Sequence, residues 1–180
     1  ANRVLTVDLH AGQIQGFFNI PVDTLIARPI LVNDMRKRID TENLVFVSPD
    51  AGGTERARSY AKKFDTEIAV IDKRRPEPGA SEVMNVVGDV ENKQCIIVDD
   101  IIDSGGTLAN AATALLEKGA IKVRAYITHG VLTPKADEKI SNSDLTELIV
   151  TDSIKINRES SITQLRYVTI APLIGRAIVN

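Results

Sequence analysis

The sequence predicts an α/β fold in which a mostly parallel sheet is covered by helices on both faces. Short apolar runs rich in β-branched residues alternate with segments whose apolar residues recur at helical spacing. Two of these runs are each followed by a carboxylate, two glycines and a hydroxyl residue before a helical segment begins. Because strand–helix–strand connections place successive strands parallel, we expect the loops to gather at one edge of the sheet. A chain of 180 residues, 43% of them hydrophobic, is long enough for one main domain with a core.

The individual elements follow from the spacing of apolar residues. Apolar runs predict strands at residues 4–7, 44–47, 67–71, 83–87, 95–98, 123–128, 145–151 and 165–170. Helical spacing predicts helices at residues 30–39, 55–63, 108–116, 136–141 and 174–179. Between the first strand and the first helix, Pro21 and Pro29 delimit a connection in which Asp23 and Thr24 are a possible helix cap.

Composition and charge exclude several classes of protein. The net charge of −2 argues against a nucleic-acid partner, which requires a basic face. No apolar run approaches the roughly 20 residues of a membrane helix, and no signal-peptide pattern opens the chain. Cys95 is the single cysteine, so it has no disulfide partner within the chain, and we expect it to pack inside a strand. These observations predict a cytoplasmic protein without a membrane partner.

The most informative stretch is CIIVDDIIDSGGT, residues 95–107. Its apolar run ends on Asp99 and Asp100, and Asp103 then opens a loop of small residues, Ser104, Gly105, Gly106 and Thr107. The glycines allow successive N–H groups to turn towards an anion at the start of the next helix. The acids repel phosphate but suit ribose hydroxyls or a Mg²⁺ ion. The stretch therefore predicts a sugar-phosphate loop, with a plain strand end and a capped helix as the alternative.

Three further stretches place polar groups at the ends of predicted strands. The second strand is followed by another glycine-bearing loop that suits an anion, formed by Asp50, Ala51, Gly52 and Gly53. A plain glycine turn is the alternative there. His10 follows the first strand, where a surface histidine is the alternative to a ligand-binding one. The run DKRRPEPG, residues 72–79, is charged and rich in proline, which predicts a mobile loop or hairpin arm, with a plain solvated charge run as the alternative.

Four motifs in this order resemble the ribose-phosphate pyrophosphokinase family, whose members have a type I phosphoribosyltransferase-like fold. They are DLHA with QIQGFF at residues 8–18, SPDAGG at 48–53, DKRR at 72–75 and VDDIIDSGGT at 98–107. The resemblance covers essentially the whole chain but only the C-terminal part of the family's enzyme. It implies that residues 1–24 are a remnant of the family's N-terminal half and residues 25–180 its C-terminal phosphoribosyltransferase-like domain. We therefore expect this fragment alone to be inactive.

The resemblance also implies roles for individual residues. The ribose-5-phosphate site would consist of Arg75, Asp99, Asp100, Asp103, Ser104, Gly105, Gly106 and Thr107. The pyrophosphate loop would consist of Asp50, Ala51, Gly52 and Gly53, and the Mg²⁺ carried by ATP would be held by His10 and Asp50. Lys73 and Arg75 match the catalytic lysine and arginine of the family's flexible loop, where they would stabilise charge on the phosphates.

The implied reaction transfers pyrophosphate from Mg–ATP to the 1-hydroxyl of ribose 5-phosphate, which gives phosphoribosyl pyrophosphate and AMP for nucleotide biosynthesis. The resemblance further implies regulation by phosphate and ADP and a homo-oligomer, with dimers assembling to hexamers in the family. Two alternatives remain open. A phosphoribosyltransferase shares the central loop. A non-catalytic regulatory partner of the synthetase would share the fold but would be expected to lose loop residues such as Lys73.

Overall fold

The strands form two separate sheets, and the computed structural model describes residues 1–74, 83–156 and 160–179. The small sheet pairs β1 (Val4–Val7) with β2 (Val22–Leu25) in parallel. The main sheet contains β3 (Leu44–Ser48), β4 (Ile68–Arg74), β5 (Val83–Val87), β6 (Gln94–Ile102), β7 (Lys122–Gly130), β8 (Glu147–Thr151) and β9 (Leu165–Val168). Their order across the sheet is β5-β4-β3-β6-β7-β8-β9, and only the β4–β5 pair is antiparallel.

Helices cover both faces of the main sheet. One core lies between the sheet and α1 (Arg28–Arg38) and α2 (Thr54–Phe64), and Ile174 of α5 (Ala171–Val179) packs against it. The other core lies beneath α3 (Gly106–Glu117) and α4 (Pro134–Ser141). The predicted α/β fold with a mostly parallel, doubly covered sheet is therefore confirmed.

Strand β6 runs through the middle of the sheet and contributes to both cores. Ile96 and Val98 belong to the core under α1 and α2, whereas Cys95 and Ile97 belong to the core under α3 and α4. This alternation is the side-chain period of a strand, and it continues towards the acidic end of β6. Burial raises the pKa of the Cys95 thiol to about 12, as expected for a cysteine that only packs.

The chain order reverses between β3 and β6, which are neighbours in the sheet. From β3 the chain crosses through α2 to β4 on one side, and from β6 it crosses through α3 to β7 on the other. The two connections therefore leave in opposite directions and open a crevice at the carboxyl ends of these strands. Such a switch point is where open α/β sheets bind their ligands.

Most predicted elements are present, and the main error lies in residues 12–25. The prediction of a helix cap at Asp23 and Thr24 is wrong, because both residues lie within β2. A 3₁₀ helix, Gly12–Phe17, precedes it and was not predicted. Phe17 is 87% exposed and so is not a core residue. The β1–β2 pairing joins residues 18 positions apart, as in Val4↔Val22, so no local pattern indicates it.

The small sheet is attached to the main sheet by hydrogen bonds near the ligand edge. The Nε2 atom of His129 in β7 lies 3.0 Å from the carbonyl oxygen of Val7 and 3.2 Å from that of Asp8. The hydroxyl of Thr128 donates to the Asp8 carboxylate at 2.6 Å.

The division of the chain into two parts after residue 24 stays a prediction. Among the described residues, no helix has the length and apolar character needed to cross a bilayer.

Candidate functional site

A cavity of about 270 Å³ lies at the carboxyl ends of β3, β4 and β6, where the chain order reverses. Its polar walls come from three separate stretches of the chain: Asp50 after β3, Lys73 in β4, and the end of β6 with the residues that follow it. The cavity-lining residues from the last stretch include Asp99, Asp103, Ser104, Gly105, Gly106 and Thr107. Carboxylates, an ammonium group and a glycine loop therefore line one cavity.

The β6–α3 loop (residues 103–107) presents hydrogen-bond donors that no described residue accepts. Gly105 has φ 74°, a left-handed conformation that favours glycine, and no side chain caps α3. The first backbone bond of the helix runs from Ala109 N–H to the Gly105 carbonyl. Within the described ranges, the N–H groups of Gly106, Thr107 and Leu108 have no acceptor. These donors, at the positive end of a helix dipole, suit an anion.

The β3–α2 loop (residues 49–53) is built differently, because its polar groups bind one another. The Asp50 carboxylate accepts the Gly53 N–H at 2.9 Å, and the Ser48 hydroxyl donates to the Asp50 carbonyl at 2.6 Å. A Cβ atom on Gly53 would lie 2.7 Å from the Ser48 hydroxyl, so this close packing requires glycine. The loop is held in shape before any ligand binds, with one Asp50 oxygen already engaged.

Asp99 is held by an arginine that sequence analysis did not single out. The Nη1 atom of Arg56, on α2, donates to Asp99 Oδ1 at 2.5 Å, and the Asp100 N–H donates to the same oxygen at 2.8 Å. Burial raises the pKa of Asp99 to about 6, and the Asp100 carboxylate adds to this, while the charge of Arg56 opposes it. Because Oδ1 is taken, Oδ2 is the oxygen with capacity to accept a ligand hydroxyl.

Asp100 faces away from this cavity, in keeping with the alternation of β6. Its carboxylate is 4% exposed, lies 3.1 Å from Arg56 Nη2 and accepts from His10 Nδ1 at 2.8 Å. It lines a second cavity of about 240 Å³ with Asp8, Arg28 and Arg56. Burial alone would raise the pKa of Asp100, but the His10 hydrogen bond and the Arg56 charge outweigh it and lower that pKa.

The structure thus divides the predicted site residues into two groups and leaves some apart. Around the first cavity it brings together Asp50, Lys73, Asp99, Asp103, Ser104, Gly105, Gly106 and Thr107. His10 and Asp100 lie together elsewhere, with the His10 side chain 76% exposed. Ala51, Gly52 and Gly53 belong to the β3–α2 loop but do not line the cavity. Arg75 lies outside the described residues.

Two residues that contribute to the site were missed from the sequence or ranked low. The available signal for Arg56 was its position, one turn into the helix that follows the β3–α2 loop, at the same sheet edge as the β6 acids. His129 follows the strand predicted at residues 123–128 but was not among the predicted site residues, and it ties the small sheet to this edge. Among the described residues, no three metal-ligating side chains cluster closely enough to hold a metal by themselves. A hard cation here would have to share oxygens with a bound polyphosphate, as Mg²⁺ commonly does.

The fold and the site define a class of protein, the type I phosphoribosyltransferase fold. The structure resembles orotate phosphoribosyltransferase from Aeropyrum pernix with a TM-score of 0.56, over 86% of this chain and 75% of that one. At 15% identity this likeness shows the fold alone.

Comparison of sequences narrows the class further. The family model described as phosphoribosyl synthetase-associated domain matches residues 77–180. Ribose-phosphate pyrophosphokinase from Maricaulis maris (strain MCS10) is 57% identical over 99% of this chain and 58% of its own. Phosphoribosylpyrophosphate synthetase from Mycobacterium smegmatis matches with a TM-score of 0.90 and 39% identity, over 99% of this chain and 58% of that one. The chain belongs to the ribose-phosphate pyrophosphokinase family, and it spans 58% of the length of these relatives.

Proposed function

We propose that this chain forms the ribose-5-phosphate-binding part of a ribose-phosphate diphosphokinase. The complete protein would transfer pyrophosphate from Mg–ATP to the 1-hydroxyl of ribose 5-phosphate, giving phosphoribosyl pyrophosphate and AMP. The observation that carries the proposal is the single cavity that gathers Asp50, Lys73, Asp99 and the β6–α3 loop. An anion site, hydroxyl acceptors and a cation within one volume match the parts of a sugar phosphate beside a polyphosphate.

Ribose 5-phosphate would bind with its phosphate on the β6–α3 loop. The N–H groups of Gly106, Thr107 and Leu108 would donate to phosphate oxygens, together with the hydroxyls of Ser104 and Thr107. Asp99 would accept the ribose hydroxyls through Oδ2, with Asp103 at the mouth of the loop. Asp100 would act indirectly, because its carboxylate is engaged by Arg56 and His10 on the other side of β6.

The polyphosphate of ATP would lie beside the β3–α2 loop. Asp50 would hold a Mg²⁺ together with phosphate oxygens, whereas His10, which lies apart from Asp50 beside Asp100, would contact Mg²⁺ at a separate position along the polyphosphate. When bound, Mg²⁺ would neutralise phosphate charge during transfer. Asp50 has an oxygen beyond the one bonded to Gly53, and His10 has its Nε2 atom beyond the one bonded to Asp100.

In the transfer itself, the 1-hydroxyl oxygen would bond to the β-phosphorus as the bond from that phosphorus to the oxygen bridging it to the α-phosphorus breaks. AMP leaves with that oxygen, and the hydroxyl proton is released. Lys73 lines the cavity on the β4 strand, and residues 71–74 extend beyond the pairing of β4 with β3. This placement would let Lys73, with Arg75 following, neutralise the charge of the departing AMP.

The remaining expectations about partners belong to the same proposal. Phosphate and ADP would act as regulators, and the protein would assemble as a cytoplasmic homo-oligomer. The exposed Phe17 and Phe18 of the segment around the 3₁₀ helix are suited to a subunit contact, because large apolar side chains are costly to leave in water.

Two measurements on the purified 180-residue chain test the proposal. Isothermal titration should detect ribose 5-phosphate binding, and an assay of AMP release from Mg–ATP should give no steady turnover, because the relatives are much longer than this chain. A chain that fails to bind ribose 5-phosphate would contradict the assignment of the cavity. Steady AMP production by this chain would contradict the view that it is only part of the catalytic unit.

A further inference from the structure

A lysine on α4 lies directly beside the start of α3. The Nζ atom of Lys139 is 3.1 Å from the position that a Cβ atom on Gly106 would take, and its Cδ and Cε atoms are 3.6 and 3.8 Å from that position. The neighbouring Ile140 packs in the same way over Gly105, at 2.9 Å from its Cβ position. The end of the Lys139 side chain therefore lies against Gly106, where an added Cβ would displace it by a few tenths of an ångström.

This position is electrostatically unfavourable in the absence of an anion. The ammonium of Lys139 stands at a helix N-terminus, which already carries partial positive charge from its unbonded N–H groups. Lys139 has no hydrogen bond or ion pair with any residue that the structure describes. Lys93, in contrast, pairs with Asp89 at 2.9 Å. Phosphate oxygens at the loop would offset both positive groups at once.

The charge of the cavity gives a second, independent reason for an additional cation. Among the described residues, its lining includes the carboxylates of Asp50, Asp99 and Asp103 and one ammonium, that of Lys73, while Lys139 lies beside the loop and outside this lining. Lys73 lies on β4, whereas the loop follows β6, and in the proposed function Lys73 serves the polyphosphate. A phosphate dianion on the β6–α3 loop would therefore be attracted only by backbone dipoles and hydroxyls unless another cation is close.

We propose that Lys139 is a further phosphate-binding residue of this site, with its ammonium pairing with an oxygen of the phosphate held by the β6–α3 loop. Gly106 then serves two purposes: its N–H donates to the phosphate, and its lack of a side chain leaves space for the end of Lys139. The inference rests on the proposed function, because it assigns a residue to the same phosphate. The competing explanation is that an exposed lysine covers the glycine with its aliphatic stem and contacts no ligand.

The test compares two lysines of α4 by isothermal titration with ribose 5-phosphate and with inorganic phosphate. In Lys139→Met the aliphatic stem is kept and the charge is lost, so we expect about tenfold weaker binding of both ligands. Lys139→Arg should bind within about threefold of wild type, because the charge is restored. The matched control is Lys135→Met, an exposed lysine one turn earlier on the same helix, which should bind as wild type does.

The titrations test the role of Lys139 and the proposed function separately. Equal affinities of Lys139→Met and Lys135→Met for ribose 5-phosphate would overturn the role of Lys139 and leave the proposed function standing. A wild-type chain that binds neither ligand would overturn the proposed function itself. A second measurement does not depend on affinity: the pKa of bound ribose 5-phosphate, followed by its ³¹P chemical shift. This pKa should be higher in Lys139→Met than in wild type, because the ammonium of Lys139 favours the phosphate dianion.

Discussion

The Arg56 guanidinium lies 2.5 Å from Asp99 Oδ1, and its other nitrogen lies 3.1 Å from Asp100 Oδ2. One arginine thus holds two adjacent carboxylates that the strand sends to different cavities. Asp99 faces the proposed ribose site, whereas Asp100 contacts His10. This arginine links the two parts of the proposed active site through a single side chain. Removal of Arg56 should therefore affect both stability and ligand binding.

Replacing Arg56 with methionine should lower the free energy of unfolding by about 2 kcal/mol, because two partly buried carboxylates lose their cation. Urea denaturation measures this, with Arg58→Met as the control, since Arg58 is exposed on the same helix. Ribose 5-phosphate should also bind about tenfold more weakly, because Asp99 is no longer oriented. Identical urea midpoints for the two variants would show that the Arg56 contacts contribute nothing to stability.

Asp99 should produce a specific pH dependence of stability. Its pKa in the folded protein, about 6, lies above the ordinary value of 3.8, so the folded state retains a proton that the unfolded state has lost. The contribution of Asp99 to stability is therefore fully present below about pH 4 and is lost as the pH rises to about 6. We expect the free energy of unfolding of wild type, relative to Asp99→Asn, to fall across this interval and stay level above it. Parallel curves for the two proteins would contradict the raised pKa.

Lys73→Ala should lower turnover by about a hundredfold or more, the scale for losing one preorganised group that stabilises a transition state. The measurement is AMP release by a protein of the relatives' length that carries this sequence. Lys122→Ala is a suitable control, because Lys122 begins β7 at the opposite end of the sheet. If both variants turn over at the wild-type rate, Lys73 has no catalytic role.

Gly105→Ala should destabilise the protein by about 2 kcal/mol or more. The residue has φ 74°, which is unfavourable for alanine, and the added Cβ would meet two Ile140 carbons at 2.9 Å. Gly175→Ala is the matched control, because no atom lies within 4 Å of its Cβ position and it lies inside α5. That control should be neutral or slightly stabilising. Thermal unfolding of both variants distinguishes them, and equal melting temperatures would exclude a special role for Gly105.

Sequence analysis was sufficient where a structural signal is local. The buried runs of β3 and β6 and the glycine loops after them follow directly from residue type and order. The β1–β2 pairing was missed because the segment that connects the two strands has no periodic pattern that would indicate it. Arg56 was missed for a related reason, since its partners Asp99 and Asp100 are 43 and 44 positions away, and one α2 arginine resembles any other solvated charge.

The difference in hydrogen bonding between the two glycine loops could not be predicted from the sequence either. Both have a carboxylate, two glycines and a hydroxyl, yet the β3–α2 loop bonds to itself, whereas the N–H groups at the start of α3 have no acceptor in the part of the chain that the structure describes. The reason is the position of the acid. Asp50 lies three residues before Gly53 and folds back on it, whereas the α3 helix start has no side-chain cap. Whether a carboxylate folds back in this way depends on local dihedral angles that composition does not specify.

The alternation of side chains along β6 has a consequence for how this chain can change during evolution. Asp99 and Asp100 face separate cavities because side chains alternate along β6, and the number of residues in the buried run before them decides which carboxylate faces which cavity. Inserting or deleting one residue among 95–98 would exchange the cavities of Asp99 and Asp100 and leave Arg56 with the wrong partner in each. Valine and isoleucine can replace one another there at modest cost. A change in the length of this strand should therefore be tolerated less well than a change in its composition.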